Sequence, residues 1–174
     1  MTELDQPQLK KTIVEFTIRG VQQFLQEHPG LVFYALAFDC NAEYAEINLC
    51  LNTESDFSKS LNHYQTEYPE SYQNDENIRD LRFNTGDWEY QCFDTIYVLT
   101  DEQLSEIFQA IPEDDYQTWQ KFVGGLLVLF TEALQDFTKT EIYKSIPKTD
   151  NFTTFCIDHD EDFEDALNRM KSYA

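Results

Sequence analysis

The stretch Leu31 to Leu51, LVFYALAFDCNAEYAEINLCL, constrains the fold more than any other part of the chain. In its first half Leu31, Phe33, Ala35 and Ala37 alternate with Val32, Tyr34, Leu36 and Phe38, so a strand built here is apolar on both faces and belongs inside a covered sheet. In the second half Ala45, Ile47, Leu49 and Leu51 alternate with Glu46, Asn48 and Cys50, the pattern of a half-buried neighbour. Asp39, Asn41 and Glu43 supply turn chemistry between the two runs, and so short a connection favours antiparallel pairing.

The flanking segments read mainly as helices. Apolar residues at three- and four-residue spacing from Leu9 to Gln26 predict an amphipathic helix, with Gly20 placed for close approach to the sheet and His28-Pro29-Gly30 as its stop. A second helix begins after the capping residues Asn52 to Asp56 and ends near Tyr68, before Pro69. Residues 69–78 read as an acidic loop or irregular turn, Asn84 to Asp87 as a turn, and Trp88 to Cys92 as a short third strand, a short helical turn being the other arrangement that buries Trp88. Thr100 to Gln103 opens a helix, and a longer one runs from about Glu113 to Phe137 with Gly124-Gly125 at its centre, read as a close-packing or kink position. Phe152 to Ile157 predicts a fourth strand, and Phe163, Leu167 and Met170 a closing helix. The whole is expected to be one α+β domain over residues 1–174: a mostly antiparallel sheet on the central hairpin with helices packed over it.

The 33 Asp and Glu against 12 Lys and Arg give a formal charge of -21, far beyond the magnitude of about 2 to 8 typical of small domains. With 14 Phe and 10 Tyr the chain still has material for a core, unlike disordered acidic segments. Such a field repels nucleic acid and anionic membrane and attracts cationic surfaces; solubility alone is the competing account of the charge. Aromatic stacking on single strands needs a positive groove, so direct nucleic-acid binding is not expected, and Phe33, Tyr34, Phe38, Trp88 and Trp119 read as core. Cys40, Cys50, Cys92 and Cys156 stand singly among apolar residues and read as buried free thiols, with a Cys40–Cys50 disulfide left open by spacing. Residues 1–12 hold no apolar leader, which makes a cytoplasmic location the expectation.

No motif calls for a catalytic residue, metal or cofactor. Asp158, Asp160 and Asp162 imitate the start of a calcium loop, but Phe163 and Arg169 occupy the positions that require Gly and Glu. Asp158 to Asp162 reads more economically as the cap and first turn of the last helix. His28, His63 and His159 are far apart in sequence, with no nucleophile signature beside any of them.

The helix ending at His28-Pro29, the strand Phe33 to Ala37, the segment Leu51-Asn52-Thr53-Glu54, and Arg82-Phe83 followed by Gly86-Asp87-Trp88-Glu89-Tyr90 together resemble a family of small bacterial domains of unknown function, family 4303, from about Thr12 to Ile157. Several similar small acidic families act as immunity proteins that neutralise a toxin domain, and the resemblance implies that context here. The expected function is therefore non-catalytic binding of a basic protein, for instance a toxin or nuclease domain, through Asp39, Glu43, Glu46, Glu67, Glu70, Asp75, Glu76, Asp158, Asp160, Glu161 and Asp162, with Tyr68 or Tyr72 as exposed anchors. A carboxylate- or metal-dependent hydrolase and a general interaction module are the alternatives.

Overall fold

Strand β1 (Phe33–Asn41) lies inside a four-stranded sheet because six consecutive residues, Phe33 to Phe38, need cover on both faces. The computed structural model describes residues 4–112 and 115–173, and the sheet order within them is β3 (Tyr90–Tyr97), β2 (Glu46–Thr53), β1, β4 (Lys148–Asp158). The β1–β2 hairpin and the β2–β3 pair are antiparallel, whereas β4 joins the far edge parallel to β1. The mostly antiparallel sheet on the central hairpin is thus as expected, with one parallel pair added. A short 3-10 turn, Ala42–Tyr44, and a left-handed Ala45 connect the hairpin, so Asp39 belongs to the strand rather than to the turn.

Strict alternation in β1 does not hold. The register slips between Phe33 and Ala35 against both neighbours, and Tyr34 and Ala35 consequently share one face. Phe33, Leu36 and Phe38 then point with Ile47, Leu49 and Leu51 toward α1 (Gln6–Glu27), α4 (Asp101–Gln109) and α5 (Tyr116–Thr138), where Ile13, Phe24, Ile107, Phe130 and Leu134 complete the larger core. Tyr34, Ala35, Ala37, Cys50 and Phe155 face α2 (Glu54–Glu67), α3 (Asp75–Phe83) and α7 (Phe163–Ser172), meeting Phe57, Leu81, Trp88 and Phe163. The bulge sorts bulky side chains to the heavily covered face and small ones to the face where Tyr34 fills the space.

Gly20 lets α1 approach the sheet, since a Cβ there would sit 2.9 Å from Leu49 Cδ1 and 2.8 Å from Asp94 Oδ2. The central glycine pair is different: Gly124 and Gly125 are exposed, nothing lies near an added Cβ, and α5 runs through them, so they serve no close packing. Within the described residues α5 begins at Tyr116 with Asp115 as its cap; Glu113 and Asp114 lie outside them. Part of the 69–78 stretch is helical after all, because Asn74 accepts a hydrogen bond from the Asn77 N–H at 2.8 Å and caps α3. Trp88 precedes β3 instead of opening it, and a five-residue helix α6 (Glu141–Ser145) precedes β4. No helix among the described residues is long and apolar enough to cross a membrane.

Several of the residues that carry the family resemblance meet in one knot on the second face. The Arg82 guanidinium lies 4.0 Å over the Tyr34 ring and donates to Glu54 at 2.8 Å. Its backbone carbonyl accepts from Tyr34 Oη at 2.6 Å and from Trp88 Nε1 at 3.0 Å. These residues tie β1, α2 and α3 together.

Candidate functional site

Helices α2, α3 and α7 cover only part of the second sheet face, and a cleft of about 980 Å³ opens between α3, the Thr85–Asp87 turn and the junction of β4 with α7. That volume is at the top of the range of about 300 to 1,000 Å³ usual for ligand sites. Leu81, Phe83, Ile157 and Phe163 line its apolar part, with the Phe83 and Phe163 rings stacked at 4.0 Å. Its rim is acidic. Asp39, Glu76, Asp80, Asp87, Asp158, Glu161, Asp162, Glu164 and Asp165 all line it, against Arg79 as the one arginine and no lysine.

The secondary structure explains why so many carboxylates converge. Asp75 and Glu76 occupy the first turn of α3, and Glu164 and Asp165 that of α7, where free N–H groups and the helix dipole favour negative charge. Both helix starts border the same cleft. Some of the acids are already engaged: Glu164 pairs with Arg79, and Glu161 pairs with Arg169 while accepting from the Asp158 N–H at 3.1 Å. Asp158 accepts from the Ala42 N–H at 3.0 Å. Asp87 accepts from Tyr64 Oη at 2.6 Å, and the proximity of that carboxylate pushes the Tyr64 phenol up to about 12. Glu76, Asp80, Asp162 and Asp165 have no ion-pair partner among the described residues.

Six of the thirteen residues expected from charge density therefore meet at one place: Asp39, Tyr72, Glu76, Asp158, Glu161 and Asp162. Glu43, Glu46, Glu67, Tyr68, Glu70, Asp75 and Asp160 do not line the cleft. Tyr68 is exposed, at 58% of its surface, but Tyr72 is half-buried against Tyr64, with ring centroids 5.0 Å apart. The capping account of Asp158 to Asp162 needs correction too. Asp158 ends β4, Glu161 is drawn to Arg169, and Asp162 takes the N-cap position without a side-chain cap hydrogen bond. Asp80, Asp87, Arg79 and His159 also line the cleft; helical spacing from Glu76 is the signal for Arg79 and Asp80, the turn after Asn84 for Asp87, and adjacency to Asp158 for His159.

A second cluster lies at the margin of the cleft. The ladder pairs Leu49 with Asp94 and Leu51 with Tyr90, leaving Cys50 opposite three residues, Gln91 to Phe93. In that bulge Cys92 adopts a left-handed conformation, φ 49°, and its N–H donates to Cys50 Sγ at 3.3 Å. Cys92 is consequently exposed, not buried, because the bulge turns it out of the strand ladder; Cys40, Cys50 and Cys156 are buried, and all four cysteines are free thiols. Asp39 stands beside this pair, and one ligand atom from each of Asp39, Cys50 and Cys92 lies within 4.8 Å of the others. Burial pushes the Asp39 carboxyl above its ordinary value, against the Thr85 hydroxyl that donates to it at 3.0 Å. A hydrogen bond from the Cys50 thiol holds Cys92 below the ordinary thiol value, and Cys50 is held up by giving that bond and by burial.

Residues 13–172 match the family model described as Domain of unknown function (DUF4303). The chain belongs to that family. No curated protein and no solved structure matches it. The DUF4303 region spans every strand, α2 to α7, and all but the first turns of α1, so both clusters lie within the family domain.

Proposed function

We propose that this DUF4303 domain is a non-catalytic protein-binding module that takes a lysine- or arginine-rich segment of a partner protein into the acidic cleft. The observation that supports the reading is the convergence of nine carboxylates on a cleft lined by a single arginine. Charge spread evenly over a surface serves solubility, whereas charge focused in a concavity raises the local potential and steers an oppositely charged partner. The stacked Phe83–Phe163 pair and Ile157 offer apolar cover for the methylene stems of bound lysines or arginines. A basic toxin or nuclease domain has the required chemistry, in line with the immunity context that the sequence resemblance implies.

The test is a comparison of two charge-reversal variants in capture from the native host, followed by kinetics with the captured partner. One variant carries Glu76→Lys, Asp80→Lys, Asp162→Lys and Asp165→Lys; the other reverses Glu102 and Glu106 on α4, exposed and outside the cleft. A basic partner should be retained by the native chain and by the α4 variant, with association slowed at least about tenfold by the cleft variant and by raised salt. Equal binding by the cleft variant, or a partner that is not basic, overturns the reading.

A further inference from the structure

Asp39, Cys50 and Cys92 come from three adjacent strands, so the ladder of β1, β2 and β3 fixes their relative positions. We propose that they form a site for a thiophilic divalent cation of the Zn²⁺ class, with one coordination position left open toward the cleft. This assignment does not rest on the protein-binding role, although Asp39 also lines the cleft proposed for it.

Geometry and donor chemistry carry it. The three ligand atoms lie within 4.8 Å of one another, and tetrahedral zinc with S and O ligands sets them roughly 3.5 to 4 Å apart, a difference that small side-chain rotations close. Two sulfur donors select against Ca²⁺ and Mg²⁺, which prefer all-oxygen shells, and favour Zn²⁺. The supporting contacts are in place. Thr85 Oγ1 donates to Asp39 Oδ2 and leaves Oδ1 for a cation, while the Cys92 N–H points at Cys50 Sγ, the kind of outer contact that orients a ligand. A non-glycine residue at φ 49° costs free energy, and here that conformation aims Cys92 at Cys50. A simple thiol pair built for a disulfide has no use for the carboxylate; a cation site does. On binding, each thiol gives its proton to solvent and the two thiolates with Asp39 take up the cation, so affinity rises with pH.

The full chain, reduced with a phosphine and stripped by chelator, is titrated with Co²⁺ and then Zn²⁺. One equivalent of Co²⁺ should give a sulfur-to-cobalt charge-transfer band that Zn²⁺ displaces, and Zn²⁺ should raise the melting temperature by mass action. Cys92→Ser, an exposed change that leaves the core intact, should abolish the band, and Asp39→Asn should weaken binding by at least about tenfold. Glu164→Gln with Asp165→Asn should leave it unchanged. Absence of the band, its survival in Cys92→Ser, or loss of binding on neutralising Glu164 and Asp165 overturns the site.

Discussion

Arg169 ties three elements together through one guanidinium. It makes a double contact with Glu161 after β4, and donates from Nε to Thr131 Oγ1 on α5 at 2.9 Å and from Nη2 to the Cys156 carbonyl at 2.7 Å. Burial works against its charge, but the bonds to Glu161 keep its pKa raised, and the two side chains are only 13% and 16% exposed. Removing one partner of such a pair leaves the other charge stranded in a poorly solvated place. Arg169→Ala should therefore cost about 3 kcal/mol or more in urea unfolding, toward the range of about 3 to 5 kcal/mol for broken buried pairs. A loss below about 1 kcal/mol, the level of a surface pair, would show that Glu161 is solvated without it. The sequence places Arg169 only where a calcium loop would need its last ligand; its partners come from Glu161 nearby and from Thr131, 38 residues earlier, and no spacing rule links them.

Among the elements, the long regular ones follow from apolar periodicity, and the departures occur where a local rule was broken or was too weak. α1, the β1–β2 hairpin, α2 and α4 stand close to where the pattern puts them, and α4 carries the full Thr100–Gln103 capping box. β3 is longer than the Trp88–Cys92 run because its bulge at 91–93 disrupts the alternation by which strands are recognised. α3 is short and polar outside its Leu81 side, so its cap at Asn74 was its main signal. On α5, Gly124 and Gly125 sit in an exposed helical interior with open space around them, where glycine costs about 1 kcal/mol each relative to alanine. The double change Gly124→Ala and Gly125→Ala should therefore raise stability by about 1 to 2 kcal/mol, read as a higher urea midpoint with an unchanged slope. A fall in stability would mean that the pair supports a bend or contact in solution.

At the scale of the whole molecule the charge dominates. Among the described residues eight Lys and Arg side chains are in ion pairs and engage eight carboxylates, while the chain carries 33 Asp and Glu against 12 Lys and Arg, so negative charge is in large excess over the positive charge that could offset it. Self-repulsion then opposes folding and is screened by salt, because the Debye length shrinks from about 30 Å at 0.01 M to about 3 Å at 1 M. The melting temperature should rise across that range while affinity for a cationic partner falls; a melting temperature that drops with added salt would mean that the ion pairs outweigh the repulsion. The sequence by itself determined the α+β class, the central hairpin, the aromatic core and the sign of the field, because periodicity and composition are properties of neighbouring residues. Only the tertiary structure decided the parallel placement of β4, the gathering of six expected site residues around one cleft, and the meeting of Asp39, Cys50 and Cys92. Those depend on which strands become neighbours and on where a bulge shifts the register, and both are set by packing between segments far apart in the chain.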